Sequence, residues 1–237
     1  MGLKSTFRRL FPQKDGTQFP GGYIPTRYIL KGIEGLPQRK RALVIGDQFG
    51  RDYRLLKKFF DEVKAIDVVD NEVIDPEDLI LQDASKPTNL EAESFDYVVA
   101  CNVIEHMFGE YDCICEVNRL LAPGGRFFID VPFLADRPYF HFRVFTPRIF
   151  LRMMQQAGYE ELDARFRGFS FFIGNNLVAM MSLSLYPIFG GKALLRVNSA
   201  VYALHRALDS SYWINRTNSD HFGGYLLYKK VKDPAPE

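Results

Sequence analysis

The sequence predicts an α/β protein built on a largely parallel sheet, and three observations carry that expectation. Short apolar strands alternate with amphipathic helical segments, the pattern of β–α–β units joined by right-handed crossovers. The run "RALVIGDQFGRDYRLL" passes from a strand at 42–46 through a glycine turn into a helical pattern near Arg51. "FDYVVAC" (95–101) is an almost unbroken apolar stretch, as expected of a strand covered on both faces.

Each element follows from its residues. Residues 26–36 suit a short lead-in helix. After Gly50, the apolar residues Tyr53, Leu55, Leu56, Phe59 and Phe60 recur at helical spacing and predict a helix over 51–62. "VKAID" (63–67) and "LILQD" (79–83) read as two strands that each end in an acid. The link between them, with "NEVIDPED", is proline-broken and too short for a full crossover helix. A helix over 109–121 follows the 95–101 strand and is stopped by "APGG". "RFFIDVPF" (126–133) is the fifth strand. Thr146 caps a helix with Pro147 at its first position, running to Gly158. "YLLYKKV" (225–231) supplies a last strand.

The chain of 237 residues suits one domain, expected over 42–237 and preceded by an arm and lead-in helix over 1–41. Its start, "MGLKSTFRRLFPQKDG", is basic but lacks a signal peptide's apolar core, and Gly2, Ser5 and Thr6 match a myristoylation start only in part. Lys plus Arg number 30 against 29 Asp plus Glu. That near balance argues against a nucleic-acid partner, which calls for a basic excess. Cys101, Cys113 and Cys115 are an odd set without a histidine pair nearby, a pattern of reduced thiols in a cytoplasmic protein rather than a zinc site.

In open α/β sheets a ligand sits beyond the carboxyl ends of the central strands. Gly46 with its turn, Asp67 and Asp83 all fall at such ends. Asp67 follows Gly46 by about 20 residues, the separation of an acid that accepts hydrogen bonds from both ribose hydroxyls. Asp83 suits an adenine amino group, with the Ala84 N–H facing a ring nitrogen. Asn102 ends the fourth strand, near where a reactive group would lie. One such Asp alone is more simply a helix cap or turn former; the order and spacing of the set are the stronger signal.

The order "LVIGDQFG", "AIDVV", "LQDASKP", "SFDYVVACNVIEHM", "VNRLLAPGGRFFIDVPF" resembles the class I S-adenosylmethionine-dependent methyltransferases, over roughly residues 42–160. The segment 141–162 is similar to the one after strand five in bacterial members that modify glycans or small molecules. The resemblance implies a Rossmann-like, doubly wound sheet of seven strands, the last antiparallel. It also implies S-adenosylmethionine as cofactor and transfer of its methyl group to an oxygen or nitrogen. Carried across, Gly46 and Gly50 line the methionine and ribose part, Asp67 holds the ribose, Asp83 and Ala84 read the adenine, and Asn102 lies near the methionine end.

The chain departs from the family pattern at three places: the short link between Asp67 and Asp83, one residue of strand one and one of the loop. Val44 stands where strand one commonly has an acid, and Gln48 replaces the second glycine. Asp47 is placed to stand in for that acid toward the methionine ammonium. Gln48 would cost about 1–2 kcal/mol if its backbone were left-handed, and nothing if the loop has shifted to ordinary φ. Because the cofactor has no phosphates, the loop need not cradle a pyrophosphate.

On the acceptor side, His106 after strand four and His141 after strand five are the candidate bases, with capping or packing as the competing reading of each. Arg143 is a possible anchor for an anionic acceptor, against an ordinary surface ion pair. The charge-free stretch 168–191 is expected to combine strand six with a helix, and the region 168–215 to cover the active site. Its interruptions by Asn175, Asn176 and Pro187 argue against a membrane span, while contact with a lipid-linked acceptor or a membrane periphery is the second reading. The expected partner is a small-molecule or glycan acceptor. The alternative is a non-catalytic binding module that has lost its cofactor.

Overall fold

The structure, a computed structural model, describes residues 24–70, 72–133, 142–143, 145–167 and 223–234. The elements are α1 (Ile24–Ile33), β1 (Arg41–Ile45), α2 (Arg51–Leu56), β2 (Glu62–Asp67), β3 (Leu79–Leu81), β4 (Phe95–Cys101), a 3-10 turn (Ile104–His106), α3 (Glu110–Leu120), β5 (Leu121–Pro132), α4 (Pro147–Gln156), β6 (Tyr159–Arg167) and β7 (Gly223–Lys230). They form one seven-stranded sheet in the order β3-β2-β1-β4-β5-β7-β6. The strands β1 to β5 pair in parallel, while β7 runs antiparallel to both β5 and β6. The expected α/β, doubly wound sheet with its antiparallel last strand is therefore present.

Two apolar layers sandwich the sheet because alternate residues of each buried strand face opposite sides. On one side Leu43, Ile45, Val98, Ala100, Phe127 and Ile129 pack with Ile114, Val117, Phe150 and Met154 of α3 and α4. On the other, Val44, Ala65, Tyr97, Val99 and Phe128 pack with Ile29, Ile33, Tyr53 and Leu56 of α1 and α2. The lead-in helix is thus part of the core. The Tyr97 hydroxyl donates to the Ile29 carbonyl at 3.0 Å, and the Arg126 guanidinium donates to the Gly32 and Gly35 carbonyls at the end of α1.

Three expectations need correction. Strand six is Tyr159–Arg167, not part of 168–191. Its sequence "YEELDARFR" is highly charged because β6 forms the sheet edge, where charge is tolerated and discourages pairing with another chain. Helix α2 stops at Leu56 rather than at residue 62, since Glu62 is drawn into β2 opposite Arg41, with an ion pair of 3.1 Å. The fifth strand begins at Leu121: the ladder starts at Phe95–Leu121 and resumes at Tyr97–Arg126, so "APGG" bulges out between, with Gly124 at φ +77°. The expected end of α3 and the Thr146 cap, which accepts the Ile149 N–H at 3.3 Å, are both present.

The link from β2 to β3 carries turns and no helix among its described residues, as its sequence implies. Polar contacts replace the packing that a crossover helix would give. Lys57 and Lys64 donate to Asp78 at 2.8 and 3.0 Å, and the Tyr53 hydroxyl lies 2.6 Å from the same carboxylate. Burial raises the Asp78 pKa, but these donors outweigh it and hold the carboxyl below its usual range.

Candidate active site

The strand order reverses between β1 and β4, which are neighbours although they are not consecutive in sequence. The loops leaving their carboxyl ends, 46–50 and 102–106, therefore flank a crevice of the kind that holds ligands in such sheets. A Cβ added at Gly46 would clash with Val103, so the two loops touch and only glycine fits between them.

The glycine loop is built on two left-handed residues, Gly46 at φ +66° and Gly50 at φ +58°. Glu93 and Asn102 are the only non-glycine residues with positive φ among those described, so Gln48 carries no such strain. Gln48 is exposed. Asp47 is buried and organises the turn. Its carboxylate accepts the Arg51 N–H at 3.0 Å and the Tyr53 N–H at 2.8 Å, while its carbonyl accepts the Gly50 N–H at 2.8 Å. A side chain four residues before the helix thus caps the first turn of α2, a task that Gly50 has no side chain to perform.

The other sequence-selected residues lie along the same edge. Asp67 ends β2, is nearly buried, and accepts the Val69 N–H at 3.1 Å. Asp83 follows β3 and is exposed; hydrogen bonds from the backbone and side chain of Ser85 hold its carboxyl below the usual range. Ala84 beside it is buried. Val68, Val69 and Leu81 are exposed apolar side chains flanking these acids. Asn102 takes the left-handed conformation at φ +52°, which Asn tolerates better than most residues. Its backbone N–H donates to the Asp130 carbonyl at 2.7 Å and its side-chain amide to the Asp130 carboxylate at 2.8 Å.

His106 is on the 3-10 turn, partly exposed, with Nε2 3.8 Å from the buried Glu105 carboxylate. The Glu105 carbonyl accepts the N–H groups of Phe142 and Arg143, tying the segment after β5 to this turn. Arg143 pairs with Glu110 at 2.8 Å, and Phe108 stacks on Phe142 with ring centres 4.0 Å apart. His141 lies outside the described residues, as do the arm 1–23 and the region 168–215. All three cysteines are free thiols, and burial pushes Cys113 up to about 12. Among the described residues there is no metal-binding cluster and no helix long and apolar enough to cross a membrane.

The sequence reading missed two acids. Asp52, on the first turn of α2, is 2% exposed, and Asp130 on β5 is 1% exposed. Asp52 accepts a hydrogen bond from the Cys101 thiol at the end of β4, and Asp47 and Asp130 lie close enough to repel it. Its Oδ1 accepts no hydrogen bond, and the Arg51 guanidinium stands 3.6 Å away. Burial first, then the Asp47 charge, push the Asp52 carboxyl up to about 7. Asp47 is raised too, by burial, against the bonds it accepts from α2. An acid inside the apolar run "FFIDVPF" was the available signal for Asp130; nothing local marks Asp52 as buried.

A seven-stranded sheet of this order, with its glycine loop and acids at the carboxyl edge, is the class I methyltransferase fold. Residues 43–129 match the family model described as a methyltransferase domain. Solved structures agree on the fold. A candidate sarcosine dimethylglycine methyltransferase from Galdieria sulphuraria is 14% identical, with 95% of this chain and 97% of that one covered and a TM-score of 0.63. Phosphoethanolamine N-methyltransferase 2 of Haemonchus contortus, in complex with S-adenosyl-L-methionine, is 16% identical, covered over 96% of this chain and 56% of its own, with a TM-score of 0.62. The [4+2]-cyclase SpnF is 18% identical, with coverages of 89% and 81% and a TM-score of 0.55. Such identities speak to the fold alone, and the cyclase shows that this fold serves more than one reaction. No curated protein sequence matches the chain.

Proposed function

We propose that this protein is an S-adenosylmethionine-dependent methyltransferase acting on an oxygen or nitrogen of a small molecule, a glycan or a lipid-linked acceptor. The observation that carries the reading is the shared carboxyl edge of β1, β2, β3 and β4, which collects the Gly46–Gly50 loop, Asp67, Asp83 with Ala84, and Asn102. Asp67 would hold the ribose hydroxyls, and Asp83 with the Ala84 N–H the adenine edge. The apolar Val68, Val69 and Leu81 beside them suit the faces of a flat base. Gly46, Asp47, Gln48 and Gly50 would bound the ribose and methionine part, and Asn102 would sit at the methionine end.

When bound, S-adenosylmethionine supplies an electrophilic methyl on a sulfonium. The protein's contribution is then to hold an acceptor in line with that methyl and, where the acceptor carries a proton, to remove it. His106, beside the Glu105 carboxylate, is the candidate base on the described surface, with His141 the second. A carboxylate next to the imidazole suits the charge that would develop on it.

A second reading, the binding module without cofactor, has one observation in its favour. Val44, at the strand position where the family commonly has an acid, is buried in the core. Calorimetry with S-adenosylhomocysteine separates the two. Binding that Asp67→Ala weakens by about tenfold or more, as loss of a charged hydrogen-bond acceptor implies, supports the methyltransferase. No binding to the wild type rejects it.

A further inference from the structure

The turn that ends β4 is fixed by a residue of the neighbouring strand. Asp130 on β5 is the register partner of Cys101, the last residue of β4, and is 1% exposed. Its carbonyl accepts the Asn102 backbone N–H at 2.7 Å, and its carboxylate accepts the Asn102 side-chain amide at 2.8 Å. Between these two bonds Asn102 holds a left-handed backbone, φ +52°, a conformation that residues other than glycine seldom adopt. The turn then sets Val103 against Gly46, where a Cβ would clash with it. The placement of Asn102 and that of the glycine loop are therefore linked. Asn102 itself is exposed.

A carboxylate only accepts hydrogen bonds, whereas an amide has two N–H groups and one carbonyl oxygen. Asp130 thus decides which way round the Asn102 amide lies: the N–H side turns to β5, and the amide oxygen remains as an acceptor on an exposed side chain. We propose that Asp130 is a positioning residue for the methionine end of the crevice. By holding the backbone of Asn102 left-handed and its amide in this sense, it presents the amide oxygen to the amino-acid end of the cofactor. The proposal rests on the methyltransferase reading. Asp130 touches no ligand and acts through Asn102 alone. The amino-acid end carries an ammonium, a triple donor that such an oxygen suits. The adenosine half lies in the same reading at Asp67 and Asp83, and gains nothing from Asn102.

Two ligands test this by calorimetry on the full chain: S-adenosylhomocysteine, which has the ammonium, and 5′-methylthioadenosine, which keeps the adenosine and lacks the amino-acid end. Asp130→Ala removes the carboxylate and keeps the carbonyl that accepts the Asn102 N–H. It should weaken S-adenosylhomocysteine by about threefold to tenfold, the worth of one hydrogen bond, and leave methylthioadenosine within about twofold. Asn102→Gly keeps the left-handed turn without the amide, so in that background Asp130→Ala should cost no further affinity. Equal loss for both ligands, no loss for either, or an undiminished loss in the Asn102→Gly background overturns the proposal. A measurement on the wild type remains if Asp130→Ala does not fold. The side-chain amide resonances of Asn102, assigned by their disappearance in Asn102→Asp, should shift with S-adenosylhomocysteine and stay in place with methylthioadenosine. Resonances that respond to both ligands alike, or to neither, overturn it. If the wild type binds neither ligand, the methyltransferase reading falls as well; if it binds them and these differences are missing, only the role of Asp130 falls.

Discussion

Asp52 should leave a mark on the stability of the protein. Its carboxyl titrates at 3.8 in the unfolded chain and is raised to about 7 in the fold, by burial and then by Asp47. Below the lower value both states hold the proton, and the folded state suffers no penalty. Between the two, the unfolded chain ionises while the folded one keeps its proton, so stability falls as pH rises. Above about 7 both are ionised and the penalty is constant. Roughly three units at 1.36 kcal/mol each make the full loss on the order of 4 kcal/mol. The side chain is only 3% exposed, so solvent screens little of this.

Asp52→Asn removes the titration. The amide resembles the protonated acid in shape and gives up the charge, but a buried, imperfectly bonded amide costs about 1–3 kcal/mol itself. The net expectation is a variant within about 1 kcal/mol of wild type near pH 5 and about 2 kcal/mol more stable at pH 8, a melting temperature higher by roughly 4–8 °C. Thermal melts of both proteins across pH 5 to 8.5, without ligand, measure it. Comparing the two cancels the groups whose pKa is lowered, Asp78, Asp83 and Glu116, which act at lower pH. If the two melting curves stay parallel over the whole range, Asp52 is not the strained acid that its surroundings imply.

The glycine loop supports two further tests by urea denaturation. Gly46→Ala meets a left-handed backbone cost of about 1–2 kcal/mol plus the clash with Val103, so a loss of more than about 2 kcal/mol is expected; a neutral effect would mean that the 46 and 102 loops do not touch. Asp47→Ala removes the cap of α2 and should cost about 1–2 kcal/mol; an unchanged urea midpoint would mean that its carboxylate does not hold the turn.

The parts of this fold that sequence reveals are those whose environment is uniform along the chain. Strand β4 is covered on both faces at every residue, so its apolar run gave its bounds without error. The Thr146–Pro147 start of α4 is a local chemical signal and is equally plain. Strand β6 is the opposite case. Among the described residues one of its edges has no neighbour, and residues such as Asp163, which pairs with Lys31 of α1 at 2.6 Å, answer to distant groups. Helix α2 failed at its end for the same reason, because Arg41 recruits Glu62 onto the neighbouring strand. The candidate site divides likewise. Gly46, Asp67, Asp83 and Asn102 fall at strand ends and were visible as such. Asp52 looks like any solvated acid in a helix's first turn, and only the placement of β4 and β5 buries it.

That division explains the glycine loop. A left-handed residue is needed where the chain leaves β1 and again where it enters α2, and the chain has glycine at both places. Between them the turn is held by Asp47, whose carboxylate and carbonyl together accept three backbone N–H groups. Once a side chain caps the helix from inside the loop, a middle glycine has no conformational task left, and Gln48 can face solvent at no backbone cost. The same substitution has a consequence for charge. With its oxygens committed to α2, Asp47 acts on its surroundings chiefly as a buried negative charge, which adds to burial in raising the Asp52 carboxyl. A loop that keeps only its two end glycines is in these terms a coupled pair of acids, the first fixing the backbone and the second raised by burial and by the charge of the first.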